Sequence, residues 1–165
     1  MNYNSGDMSK AFTDLGEREI LALAIALEEE DGRIYRDFAE KLKINHPDIA
    51  LILESMCAEE SGHRARLLEM YNLEYGEHIP FVRREDVKGF IKRRPIWLNR
   101  ILPPTRVLAA VMLMEAETRR FYREASNTVK SASVRNLLSA LADAEEDHQD
   151  ILVDLTKVCK KHLAN

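Results

Sequence analysis

Residues 56–71 read MCAEESGHRARLLEMY and residues 141–152 read LADAEEDHQDIL. Each stretch holds a Glu-x-x-His: Glu60 with His63, and Glu145 with His148. Residues three apart on a helix lie on one face about one turn apart, so each pair aims a carboxylate and an imidazole in the same direction. The neighbouring apolar residues say which direction that is. Glu60 falls in the stripe of Leu53, Met56 and Leu67, and Glu145 and His148 fall in that of Leu141, Leu152 and Leu155. Both pairs therefore point into a core.

Two other stretches carry a matching pattern. ALEEEDGRIYRDFA (26–39) places Tyr35 seven residues after Glu28, and MEAETRRFYREAS (114–126) places Tyr122 seven residues after Glu115; a basic residue, Arg36 or Arg123, follows each Tyr. Seven residues is nearly two helical turns, so each Glu and its Tyr share a face. Glu28 lies in the stripe of Leu21, Ile25 and Tyr35. The two halves align at an offset of about 86 residues, and the chain reads as two copies of a helix pair, each supplying a Glu and then a Glu-x-x-His.

The rest of the chain supports this organisation. Residues 1–12 are polar and read as a flexible N-terminus; 13–165 read as one domain. Thr13 is a capping residue for a first helix spanning about 14–43, and Pro47 opens a second that runs to about 73. A short loop between them makes these helices antiparallel neighbours. Residues 74–103 break the rhythm with Gly76, Pro80, Gly89, Pro95 and Pro103, and a short helix over about 84–92 is expected inside this crossover. A third helix follows from Pro104 to about 129, and a fourth, capped by Ser131 or Ser133, lasts to about 161. The fold class is all-α: a four-helix bundle with one long connection between helices two and three.

At 165 residues and 19.0 kDa, one core is the default, and a formal charge of −4 gives no support to nucleic acid as a partner. Cys57 and Cys159 sit in helical patterns and form neither a disulfide framework nor a CxxC motif, which reads as a reducing cytoplasm. No basic-then-apolar leader opens the sequence, and no run of 18 apolar residues occurs in it.

Ionised carboxylates in a core need a compensating charge. Four Glu and two His would find it in two dications, for which hard oxygen and borderline nitrogen donors suit Fe, with Mn or Zn as substitutes. One Glu from each of two helices, with Glu-x-x-His from each of the others, is the di-iron carboxylate arrangement of bundles. Glu29, Glu30, Asp31, Glu59, Glu146 and Asp147 show how common acids are beside these positions, and most of them read as solvated.

The four quoted stretches resemble the ligand helices of the rubrerythrin branch of the ferritin-like superfamily. More narrowly, FTDLGEREILALAIALEEEDGRIYRDFA (12–39) and YGEHIPFVRREDVKGFIKRRPIWL (75–98) resemble the N-terminal domain of membrane-bound ferritins, which precedes a membrane domain similar to vacuolar iron transporters. The resemblance implies metal ligation by Glu28, Glu60, His63, Glu115, Glu145 and His148, with Glu60 and Glu145 bridging two irons. It implies oxidation of Fe(II) by O2 or hydrogen peroxide in iron detoxification, efflux and oxidative-stress defence, a homodimer, and a cytoplasmic domain whose full-length protein is anchored in the inner or plasma membrane. The alternative is an iron-sensing or iron-delivery domain of an exporter with little turnover. Two departures stand out: Thr118 occupies the place of a further carboxylate expected three residues after Glu115, and no paired CxxC motifs supply a rubredoxin domain.

Tyr35 and Tyr122 are candidates to hydrogen-bond the ligating Glu residues. Cys57, one turn before Glu60, reads as a small buried residue, and His46, His78 and His162 as structural or surface residues. The basic run Arg83, Arg84, Lys88, Lys92, Arg93 and Arg94 reads either as a surface for an anionic membrane or a membrane domain, or as a solubilising segment. Ile96, Trp97 and Leu98 beside it favour a contact.

Overall fold

The computed structural model describes residues 10–82, 87–91, 93 and 102–163. Four helices account for most of them: α1 (Glu17–Leu42), α2 (Pro47–Tyr75), α3 (Pro104–Thr128) and α4 (Ala132–Leu163). α1 packs chiefly on α2 and α3 chiefly on α4, and the two pairs meet α1 to α3 and α2 to α4. This is the bundle that the repeated helix pair implies. Among the described residues no helix is long and apolar enough to cross a membrane.

Local chemistry sets the helix ends. Pro47 and Pro104 each stand at a first helical position, where a missing N–H costs nothing. Gly76 ends α2 at φ 78°, a left-handed conformation that suits glycine. Ser131 caps α4: its carbonyl accepts from Arg135 N at 3.0 Å and its hydroxyl from Val134 N at 3.4 Å. Thr13 does not cap α1. It lies in a 3-10 turn (Phe12–Asp14), and the helix starts after Gly16, whose N–H bonds Glu19 Oε2 at 3.0 Å. The Glu17 carboxylate accepts from Lys130 N and Ser131 N, both at 3.0 Å, and from the Tyr75 hydroxyl at 2.6 Å, pinning this end of the bundle.

The N-terminal segment and the crossover depart from expectation. Lys10–Ala11 (β1) pairs in parallel with Val87–Lys88 (β2), and Phe12 packs edge-on against Phe121 at 5.7 Å. Residues 10–12 are thus tied into the fold, whereas 1–9 lie outside the described residues. Where a helix was expected over 84–92, residues 87–91 form β2 and a turn at Gly89, φ 76°. Val87, Phe90 and Ile91 are buried on either side of this turn, an apolar spacing that resembles a short helix when read alone. Arg83, Arg84, Lys92, Arg94, Ile96, Trp97, Leu98 and the His162 side chain lie outside the described residues.

The core has two apolar halves. One gathers Leu21, Leu27, Leu67, Tyr71, Phe121 and Leu141; the other gathers Ile34, Phe38, Leu53, Met56, Leu108 and Leu152. Each of the four helices contributes to both halves. The turn of each helix between its two contributions is polar: Glu28 with Asp31, Glu60 with His63, Glu115 with Thr118, and Glu145 with His148, all buried. The apolar halves hold these side chains away from water in one layer across the bundle.

Candidate metal centre

The layer brings together all six residues singled out in the sequence. Ligand atoms of Glu28, Glu60, His63 and Glu145 lie within 4.8 Å of one another, as do those of Glu60, Glu115, Glu145 and His148. Glu60 and Glu145 belong to both groups. His63 Nδ1 faces Glu60 Oε2 at 3.3 Å, Glu28 Oε2 at 3.6 Å and Glu145 Oε1 at 3.7 Å. His148 Nδ1 faces Glu115 Oε2 at 3.2 Å, Glu60 Oε1 at 3.6 Å and Glu145 Oε2 at 3.7 Å. The two rings stack with centroids 5.9 Å apart. α1 and α2 come close at this level because Gly32 faces Glu60: a Cβ there would stand 3.4 Å from the Glu60 Cβ.

The tyrosines bond across the bundle. Tyr35, on α1, donates to Glu115 Oε1 on α3, and Tyr122, on α3, donates to Glu28 Oε1 on α1. Each Tyr thus bonds a candidate ligand of the opposite helix and not the Glu seven residues before it. Burial, followed by the charges of Glu115 on Tyr35 and of Glu28 on Tyr122, holds both hydroxyls protonated and able to donate.

The electrostatics are those of a charge cluster under strain. Burial drives the Glu60 carboxyl well above its ordinary range, and the Glu28 charge adds to it. Burial likewise raises Glu145, with its hydrogen bond to Glu115 contributing next. Glu115 is net lowered: burial pushes it up, but its hydrogen bonds to Glu145 and His148 prevail. His148 is raised to about 11, since its hydrogen bonds to Glu115 and Glu145 outweigh burial. Glu28 Oε2, Glu60 Oε1 and Glu145 Oε1 are buried with no hydrogen-bond partner. An unsatisfied buried acceptor costs about 1–3 kcal/mol. Three such oxygens, with two imidazole nitrogens turned inward, are the donor set a pair of dications would complete.

Two acids from the group read as solvated belong to this region. Glu59 Oε2 accepts from His148 Nε2 at 2.9 Å. Asp31 is 2% exposed and joined to Arg93, whose Nε and Nη2 donate to its two oxygens at 2.9 and 2.5 Å. Arg93 also donates to Glu117 at 2.7 Å and to the Thr118 hydroxyl at 2.8 Å, and Thr118 donates to Asp31 at 3.1 Å. Arg93 therefore neither lies on a surface nor solubilises the crossover, for its side chain is 2% exposed. The signal for Asp31 was its place three residues after Glu28, on the same inner face. Cys57 is buried, with Arg36 Nη2 3.8 Å from its sulfur. His46 precedes α2, and the His78 carbonyl accepts from the Tyr71 hydroxyl at 2.8 Å.

Four helices that each place buried carboxylates or imidazoles in one central layer define a ferritin-like bundle. Residues 19–156 match the rubrerythrin family model, and the chain belongs to that family. A hypothetical protein of Pyrococcus furiosus shares the fold with a TM-score of 0.73 at 24% identity, covering 89% of this chain and 92% of that one. A protein of Thermotoga maritima described as a ferritin-like diiron-carboxylate protein superposes with a TM-score of 0.69 at 19% identity, covering 87% of this chain and 95% of that one. No curated protein matches the sequence.

Proposed function

We propose that this chain holds two iron ions in the central layer and oxidises Fe(II) with O2 or hydrogen peroxide. The observation that carries the proposal is the pair of overlapping four-residue groups sharing Glu60 and Glu145, fully buried and with unpartnered carboxylate oxygens. Glu28 and His63 would complete one position and Glu115 and His148 the other. Membership of the rubrerythrin family supports iron over manganese or zinc, as does the fold shared with a protein described as diiron-carboxylate. When bound, a pair of irons supplies one-electron redox steps and Lewis acidity at a shared position.

The chain's own groups define the rest. Tyr35 and Tyr122 hold one oxygen of Glu115 and of Glu28, leaving the other oxygen of each carboxylate on the centre. Both imidazoles present Nδ1, the nitrogen each would offer as neutral ligand. The apolar halves above and below exclude bulk water, which strengthens every charge interaction inside. The resemblance of residues 12–39 and 75–98 to membrane-bound ferritins extends the proposal to a homodimer, a fused membrane domain and a role in iron detoxification and efflux.

Anaerobic Fe(II) loading followed by addition of O2 or hydrogen peroxide, with Fe(III) absorbance as the readout, tests the chemistry. Oxidation by the wild-type chain should outpace the buffer, and Glu115→Ala should fall by about two orders of magnitude, as expected for loss of electrostatic and ligand positioning at a reactive centre. Wild-type rates equal to those in buffer with both oxidants would leave binding without oxidation.

A further inference from the structure

The two halves of the centre are built from one repeated pattern, yet they are not alike outside the ligands. Each residue of the α2 motif recurs 85 positions on in α4, Glu60 as Glu145 and His63 as His148. Glu59, the residue before Glu60, has Ala144 as its counterpart. His148, with Nδ1 toward the carboxylates, sends Nε2 to Glu59 Oε2 on the neighbouring helix at 2.9 Å. His63 also turns Nδ1 inward, but among the described residues no carboxylate takes up its Nε2.

A carboxylate on the far nitrogen of an imidazole does three things at once. It fixes the rotation of the ring, it selects the tautomer with Nε2–H and a free Nδ1 lone pair, and it makes that lone pair more basic. We propose that Glu59 is a positioning residue that makes the two metal positions inequivalent, with the position at Glu115 and His148 the tighter. This rests on the metal reading of the layer. Glu59 Oε2 belongs to a half-exposed side chain, so as a mere surface contact its removal would change little.

Anaerobic titration with Co(II), whose absorption reports each coordination step, separates these roles on the full chain. The wild-type chain should show two binding steps of unequal strength. Glu59→Ala should weaken the stronger step roughly 10-fold or more and leave the weaker one in place, and Glu59→Gln, which keeps an acceptor oxygen, should recover part of the loss. In the metal-free chain, a slowly exchanging imidazole Nε2–H resonance from His148 should vanish in Glu59→Ala. Two steps unchanged by Glu59→Ala would overturn the positioning role while leaving the centre intact. A wild-type chain that binds no Co(II) and no Fe(II) would instead overturn the metal reading, and this inference with it.

Discussion

At the scale of single residues, Glu60, Glu145 and the neighbouring Asp31 are carboxyl groups that burial keeps from their ordinary ionisation. Asp31 is raised to about 7, by burial first and against the opposing charge of Arg93. Glu60 and Glu145 are also raised, by burial first and then by contact with Glu28 and Glu115 respectively. A carboxyl with a raised folded pKa binds more protons in the folded than in the unfolded chain. Its contribution to stability is complete below the ordinary carboxyl range and is lost as pH rises through the folded value. For Asp31 that window runs from about 4 to about 7, and Glu60 and Glu145 add losses of the same sign above the ordinary carboxyl range. The raised His148 adds a loss of the same sign above its ordinary value. The melting temperature of the metal-free chain should therefore fall by on the order of 5 °C between pH 5 and pH 8. Calorimetry that finds it flat or rising would show the carboxyls ionised at no cost. The six candidate ligands were legible because their phase against Leu, Ile and Met conflicts with their charge. Asp31 and Glu59 were not singled out, since a one-dimensional pattern rich in acids does not say which of them meets Arg93 from the crossover or His148 from α4.

At the scale of elements, the four helices follow from apolar period, prolines at first turns and glycine at a helix end. The crossover does not, because its structure depends on partners far away in sequence: β2 exists only against β1, and Arg93 is placed by Asp31 on α1 and by Glu117 and Thr118 on α3. Thr118 makes sense in this light. Where a further carboxylate was expected, a hydroxyl leaves Arg93 room to bond Asp31 and Thr118 together. Arg93 thus fastens the crossover to α1 and α3 beside the centre. Arg93→Ala would strand the Asp31 carboxyl in the core, and urea denaturation should show a loss of about 3–5 kcal/mol. Pairing it with Asp31→Asn should recover part of that loss, because the second change removes the buried acid that has lost its cation. A loss below about 1 kcal/mol for Arg93→Ala would mark the pair as a screened surface contact.

At the scale of the whole molecule, the bundle is two helix pairs related by an internal repeat, and the repeat converges on one layer. Each pair alone supplies a Glu and a Glu-x-x-His; only the union of both makes the two overlapping groups with Glu60 and Glu145 in common. The cross-bundle bonds of Tyr35 to Glu115 and of Tyr122 to Glu28 are the same design at the level of hydrogen bonds. They were hidden in the sequence because the heptad spacing of each Glu and Tyr gives the face and not the partner helix. The direct test is the iron content of the chain after anaerobic Fe(II) loading and removal of free iron, measured on the wild type beside Glu60→Ala. About two irons per wild-type chain are expected from donors shared in this way, with loss of both in the variant because Glu60 serves each position. No bound iron in the wild-type chain, or two irons retained in Glu60→Ala, would contradict a dinuclear centre in this layer.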